Sequence, residues 1–147
     1  MSLLRRSASM AIPAVVVIGF GAAPAQADTG LYCDNYYDNC GAFYFNSNTS
    51  GSHIVFTGLK GQQGSIPDLA PYKFLGPGNG KGQSVKNNAA SFYNGSFQIT
   101  TVFFNSNYSG PCDSFEPHAT AKQLRNTYNE NASLGFGRSG VNCYKFN

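Results

Sequence analysis

The chain has 147 residues, ten Lys or Arg against seven Asp or Glu, a net charge of +3 and no Trp. Charged residues make up only 12% of it, while Gly, Tyr and Phe are plentiful, a balance that favours strands and turns over helices. So small an excess of cations makes no electrostatic case for a nucleic-acid partner.

Residues 1–27 read as a secretory signal. Arg5 and Arg6 precede the apolar run Ala11 to Phe20, and Ala25-Gln26-Ala27 follows, with small residues at the two positions a signal peptidase inspects. The run is shorter than a membrane span of about 20 residues, and no later stretch approaches that length. The Arg pair raises twin-arginine export, yet Ser7-Ala8-Ser9 stand where that signal carries bulky apolar residues, so general secretion is expected. The reading is of a secreted, extracellular protein with no membrane partner, whose residues 28–147 form one domain around a single core. Without Arg5 and Arg6 that domain carries eight cations against seven acids.

All four cysteines, Cys33, Cys40, Cys112 and Cys143, lie after the signal, and an even number in a secreted chain predicts two disulfides. Three pairings are open. The expected one joins Cys33 to Cys40 and Cys112 to Cys143, because each pair stays near one terminus and leaves the middle of the chain free. A metal is the weaker reading, since no C-x-x-C or nearby His pair accompanies these thiols.

In chain order, Asp28 to Gly41 is polar, aromatic and expected to be irregular. Ala42 to Phe45 and Ser52 to Phe56 form the arms of a hairpin, with strand-forming His53, Ile54, Val55 and Phe56. Gly58 to Gly82 is rich in Gly and Pro, including Gly76-Pro77-Gly78-Asn79-Gly80. Its apolar groups in Ile66 to Leu69 and Tyr72 to Leu75 either pack back on the core or stand ready for a partner. Ser91 to Tyr93 is the next strand. Phe97 to Phe104 carries apolar groups on both faces, as a central strand does, and Cys112 to Glu116 is its hairpin partner. Ala119 to Asn126 is read as a helical turn, Ser133 to Phe136 as a closing strand, and the tail runs on to Cys143, Tyr144 and Phe146.

This order repeats. Phe45 to Gly51 reads F-N-S-N-T-S-G and Phe104 to Gly110 reads F-N-S-N-Y-S-G, agreeing at six of seven positions. Asn, Ser and a final Gly are residues that tolerate tight turns and positive φ. A second pair follows: Asn87-Asn88-Ala89-Ala90-Ser91-Phe92 and Asn129-Glu130-Asn131-Ala132-Ser133-Leu134. The hairpins are offset by 59 residues but these segments by 42, so the first unit is 17 residues longer between its landmarks. Long loops in compact domains are often functional. That excess makes Tyr72, Lys73, Phe74, Leu75 and Gly76, within Tyr72 to Gly80, the candidate contact loop. Thr49 stands where the second copy has Tyr108; the aromatic covers more of its turn, so the first hairpin is expected to be the looser.

Two such units, with an aromatic, three polar residues, an aromatic (Thr49 in the first unit) and x-Gly, each followed by an N-N-x-x-S-like segment, resemble the βγ-crystallin Greek-key domain. The match is best at Phe104, Tyr108 and Gly110. With the secretion signal, the paired cysteines and Val85-Lys86-Asn87-Asn88-Ala89-Ala90-Ser91, the chain is similar to the secreted actinobacterial peptidase-inhibitor family of that fold, over roughly Gly41 to Phe136. The resemblance implies an all-β, disulfide-braced sandwich of two Greek-key motifs, about 41–96 and 97–147. It implies an inhibitor of thermolysin-like metalloproteinases, with an extracellular protease as partner and no cofactor required. Phe74 or Leu75 would fill the apolar pocket such enzymes offer beside the scissile bond.

Many microbial crystallin-type domains bind calcium through N/D-N/D-x-x-S/T-S, where Asn, Ser and backbone oxygens suit a hard cation. Asn87, Asn88 and Ser91 match the first five positions, but Phe92 replaces the last Ser. Asn129 and Ser133 belong to a poorer match that ends in Leu134. Turn-forming Asn and capping Ser explain the same residues without a metal. No catalytic residues are expected: His53 and His118 have no local nucleophile, Asp34 and Asp38 read as a solvated face, and neither G-x-S-x-G nor H-E-x-x-H occurs. Against the inhibitor stands the alternative of a calcium-binding structural, cell-surface or antimicrobial module. A monomer is expected in either case.

Overall fold

The computed structural model describes residues 27–28, 33, 39–57 and 65–147. The signal reading therefore lies outside the described residues apart from Ala27, as do Asp34, Asp38 and residues 58–64. Among the described residues the fold is all-β, with nine strands in two sheets.

The hairpins set the frame. Strand β2, Cys40–Asn46, turns into β3, Ser50–Thr57; β5, Thr100–Asn105, turns into β6, Ser109–Phe115. Each pair slips by one residue at the same repeat position, between Tyr44 and Asn46 and between Phe103 and Asn105. Each turn is left-handed at two residues, Asn48 at φ 60° with Thr49 at 49°, and Asn107 with Tyr108, both at 60°. Asn visits this region readily; a β-branched Thr does so only against its side-chain sterics.

Strands β4, Ser91–Asn94, and β8, Ser133–Phe136, pair antiparallel with β2 and β5. The sheets then exchange chain. Strand β7, Thr120–Ala121, belongs to the second repeat unit but pairs with β4, and Ile66 of the first unit bridges to Leu134 on β8. The two repeat units are thus not the two sheets, because each sheet is completed from the other unit. The helical turn expected over Ala119 to Asn126 is not there. Ala121 is buried opposite Phe92, and long-range hydrogen bonds hold the residues after it, outweighing local propensity.

Strand β1, Ala27–Asp28, pairs with Phe56 and Val55 on β3, so it starts at the residue read as the last of the signal. The tail also forms a strand that the sequence reading left unassigned: β9, Cys143–Phe146, lies parallel to β6. The sheet orders are β1-β3-β2-β4-β7 and β8-β5-β6-β9. Since β8 and β9 occupy opposite edges, residues 137–142 must cross the sheet. The crossing packs Gly140 on the Cys112–Cys143 bridge and against Phe103. The other bridge joins Cys33 and Cys40 over Gly95.

Between the sheets lies a row of rings. Phe43 meets Phe92 at 4.7 Å, Phe92 meets Phe115 at 4.8 Å, and Phe115 stacks on Phe146 at 4.9 Å. Val102, Leu134, Phe136, Ile54 and Phe56 fill in around them. Fully burying each such side chain is worth roughly 1.5–3 kcal/mol.

Candidate functional site

The repeated Asn and Ser residues proposed as calcium ligands act as latches on the hairpin turns. The Ser91 hydroxyl donates to the Asn46 carbonyl at 2.6 Å and accepts from the Thr49 amide at 3.0 Å. Ser133 repeats this on the second hairpin, donating to Asn105 O at 2.7 Å and accepting from Tyr108 N at 3.1 Å. Asn87 and Asn129 are left-handed, at φ 62° and 53°, and their amides donate across the pseudo-twofold to Asn131 O and Ala89 O. Asn88 donates to Lys86 O. Asn131 donates to Val85 O and accepts from Ala89 N. The hydroxyl protons are thus committed to turn carbonyls. Among the described residues no three His, Cys, Asp or Glu groups gather where they could hold a metal.

The extra length of the first unit goes into a second, smaller hairpin. Phe74 N donates to Gln83 O at 2.9 Å, Gly82 N to Phe74 O at 2.8 Å and Val85 N to Tyr72 O at 3.0 Å. Its tip lies on β3. Leu75 and Gly76 amides both donate to His53 O, Ser52 N donates to Asn79 O at 2.8 Å, and the Ser52 hydroxyl donates to Gly76 O at 2.5 Å. Asn79 also reaches Asn46 at 3.3 Å. Gly80, at φ 89°, lies flat on the Phe45 ring, where any Cβ would collide with the ring carbons.

This divides the candidate contact loop. Phe74 is fully buried, its ring edge-on to Phe45 at 5.6 Å, and Gly76 is buried against the His53 ring. The expectation that Phe74 could enter a partner's pocket is therefore corrected, because the loop needs that ring as its anchor in the core. Tyr72 is half-buried beside Phe56, and Lys73 is exposed. Leu75, 39% exposed, is the apolar group the loop presents, followed by exposed Pro77, Gly78, Asn79 and Lys81. The anchoring residues Phe45, Ser52 and His53 were missed in the sequence. No sequence signal marked them; in the structure Phe104, the repeat twin of Phe45, stays 36% exposed.

A second tie joins the units. Lys86 Nζ donates to Asp68 at 2.9 Å and to Ser106 at 2.9 Å, which holds the Asp68 carboxyl below its ordinary range. Of the histidines, His118 lies on an exposed turn with its ring 5.1 Å from that of Phe97, and half-buried His53 faces Tyr44 at 5.9 Å.

Paired hairpins latched by serines, with β7 paired into the first unit's sheet and Ile66 bridged to the second's, define the architecture, and solved structures superpose on the overall fold. A structure described as "Evolution of the eye lens beta-gamma-crystallin domain fold" superposes with a TM-score of 0.59 over 78% of this chain and 100% of that one, at 14% identity. The fold is that of a βγ-crystallin domain. A beta gamma crystallin from Ciona intestinalis also superposes, with a TM-score of 0.50 over 66% of this chain and 98% of that one, at 14% identity. No protein-family model matches the chain, and no curated protein matches it in sequence.

On this βγ-crystallin frame the 72–85 hairpin is an addition to the first unit, and the two bridges brace the ends of the domain. Two disulfides suit an oxidising compartment.

Proposed function

We propose that this chain is a secreted, non-enzymatic βγ-crystallin-type protein that inhibits an extracellular peptidase, with a thermolysin-like metalloproteinase as the expected partner. The observation that carries the reading is the tip at Leu75 to Lys81: Leu75, Pro77, Gly78, Asn79 and Lys81 are exposed, yet its backbone is bonded to His53, Ser52 and its own hairpin. A loop held in this way loses little conformational freedom on binding. It also resists the rearrangement that follows cleavage, so a protease would hold it as a poor substrate. Leu75 is the side chain offered to the apolar pocket beside the scissile bond.

The test is to titrate a thermolysin-like metalloproteinase with disulfide-intact protein, residues 28–147, at fixed calcium. Stoichiometric loss of activity is expected, and Leu75→Ala should weaken it at least tenfold without lowering Tm, as truncation of an exposed interface anchor does. Full residual activity, or rapid digestion within 72–85, overturns the proposal and leaves a structural or cell-surface module.

A further inference from the structure

A different part of the surface carries its own binding chemistry. At the 59-residue offset, Ile54 of the first unit corresponds to Asp113 of the second. Both are buried, but Asp113 places a carboxylate where the twin has only packing. That carboxylate accepts from the backbone amides of Arg125, Asn126 and Thr127, each at 3.0 Å, and from the Thr127 hydroxyl at 2.6 Å. All four donors belong to one surface loop, and Asn126 adds a bond to Cys112 O at 2.9 Å. Burying a carboxylate is costly without such partners, and here it fixes the shape of residues 123–128.

Those residues border an open depression of about 350 Å³, lined by Gln123, Leu124, Arg125 and Tyr128. The Arg125 guanidinium lies 5.2 Å over the ring of Tyr144 on β9, which the Cys112–Cys143 bridge holds in place. Tyr128 and Tyr144 are 40% and 42% exposed. No carboxylate among the described residues pairs with Arg125, so its planar donors remain available to an anion.

We propose that this depression binds an anionic saccharide, a pyranose bearing a carboxylate or a phosphate. An exposed tyrosine ring takes the C–H face of a sugar, Gln123 bonds its hydroxyls, and Arg125 pairs with the anionic group. Tyr and Arg also populate protein interfaces. A depression of this volume, lined by polar and apolar groups together, instead has the size of a small-ligand pocket.

Calorimetry and amide chemical shifts of residues 28–147 test this with three probes. These are tetragalacturonate, glucose 1-phosphate and neutral cellotetraose. Saturable binding of at least one anionic probe is expected, with shifts confined to residues 123–128 and 143–146, and with at least tenfold weaker binding by Arg125→Gln at unchanged Tm. Which anionic probe binds identifies the carboxylate or the phosphate as the source. Binding of neither anionic probe, equal binding of cellotetraose, or shifts elsewhere on the domain overturns the proposal. The shift map uses the unaltered protein, so it stands whether or not a variant folds.

Discussion

Ile66 and Leu134 exchange both backbone hydrogen bonds, at 2.7 and 2.9 Å, although they belong to different repeat units. The reciprocal tie is Phe92 opposite Ala121, extended by Asn94 N to Ala119 O at 2.9 Å. Each unit alone would lose a sheet edge and half of the aromatic core. Residues 28–96 and 97–147 expressed separately are therefore expected to lack cooperative thermal unfolding, and mixing them should restore it. A sharp, independent melt of either half, followed by circular dichroism, would contradict the interlock.

Each serine latch satisfies a turn amide and a turn carbonyl at once. Ser91→Ala and Ser133→Ala should each cost about 1–3 kcal/mol, because both turn groups lose their partner while partly buried. If these hydroxyls serve only as latches, removing calcium with a chelator should leave Tm unchanged. A clear rise in Tm on adding calcium would restore the cation reading of the same residues.

Thr49 is held at φ 49° on an exposed turn. Asn accepts that conformation with less steric conflict, so Thr49→Asn is expected to stabilise the domain by about 1 kcal/mol. Thermal denaturation should read this as a Tm increase of about 4 °C. At Tyr108, where Arg138 stacks on the ring at 4.1 Å, the same change to Asn should instead lower Tm, because the ring contact is lost.

The lowered Asp68 pKa, set first by its bond to Lys86, makes stability depend on pH in one direction. The contribution is fully present above the ordinary carboxylate range and is lost as pH falls through the lowered folded-state value. Asp68 is 45% exposed, so the contribution is screened and should shrink with salt. Asp68→Asn is expected to flatten the acid side of a stability–pH profile and leave the neutral side nearly level. An unchanged acid limb would show that the pair contributes nothing.

Removing the Cys112–Cys143 bridge, by changing both residues to Ser, should cost about 3–4 kcal/mol from the loop it closes. The amides of β9 should then exchange with solvent faster than those of β5. Equal protection of the two strands would mean that the stacking of Phe146 on Phe115 suffices to hold the tail.

Local sequence carried the features that depend on one or two residues. Paired Phe-Asn-Ser-Asn turns disclosed both hairpins, because few other residues tolerate left-handed backbone and a closing Gly. Apolar groups on both faces of Phe97 to Phe104 marked a central strand, although β5 begins only at Thr100 and Phe97 is exposed. Phe74 and Leu75 were indistinguishable as letters, adjacent and both apolar. Only the packing of Phe74 against Phe45 separates the anchor from the exposed side chain. Likewise, nothing near Asp113 in sequence reveals that it holds residues 12 to 14 positions away.

By itself, then, the sequence determined the two-unit β architecture and the positions of its turns, since backbone conformation at Asn and Gly is a local preference. Tertiary structure decided the strand exchange, the parallel docking of the tail and the sorting of the 72–85 hairpin into buried and exposed residues. Those depend on which distant surfaces meet, and the free energy of burying a side chain belongs to the pair of surfaces rather than to the residue.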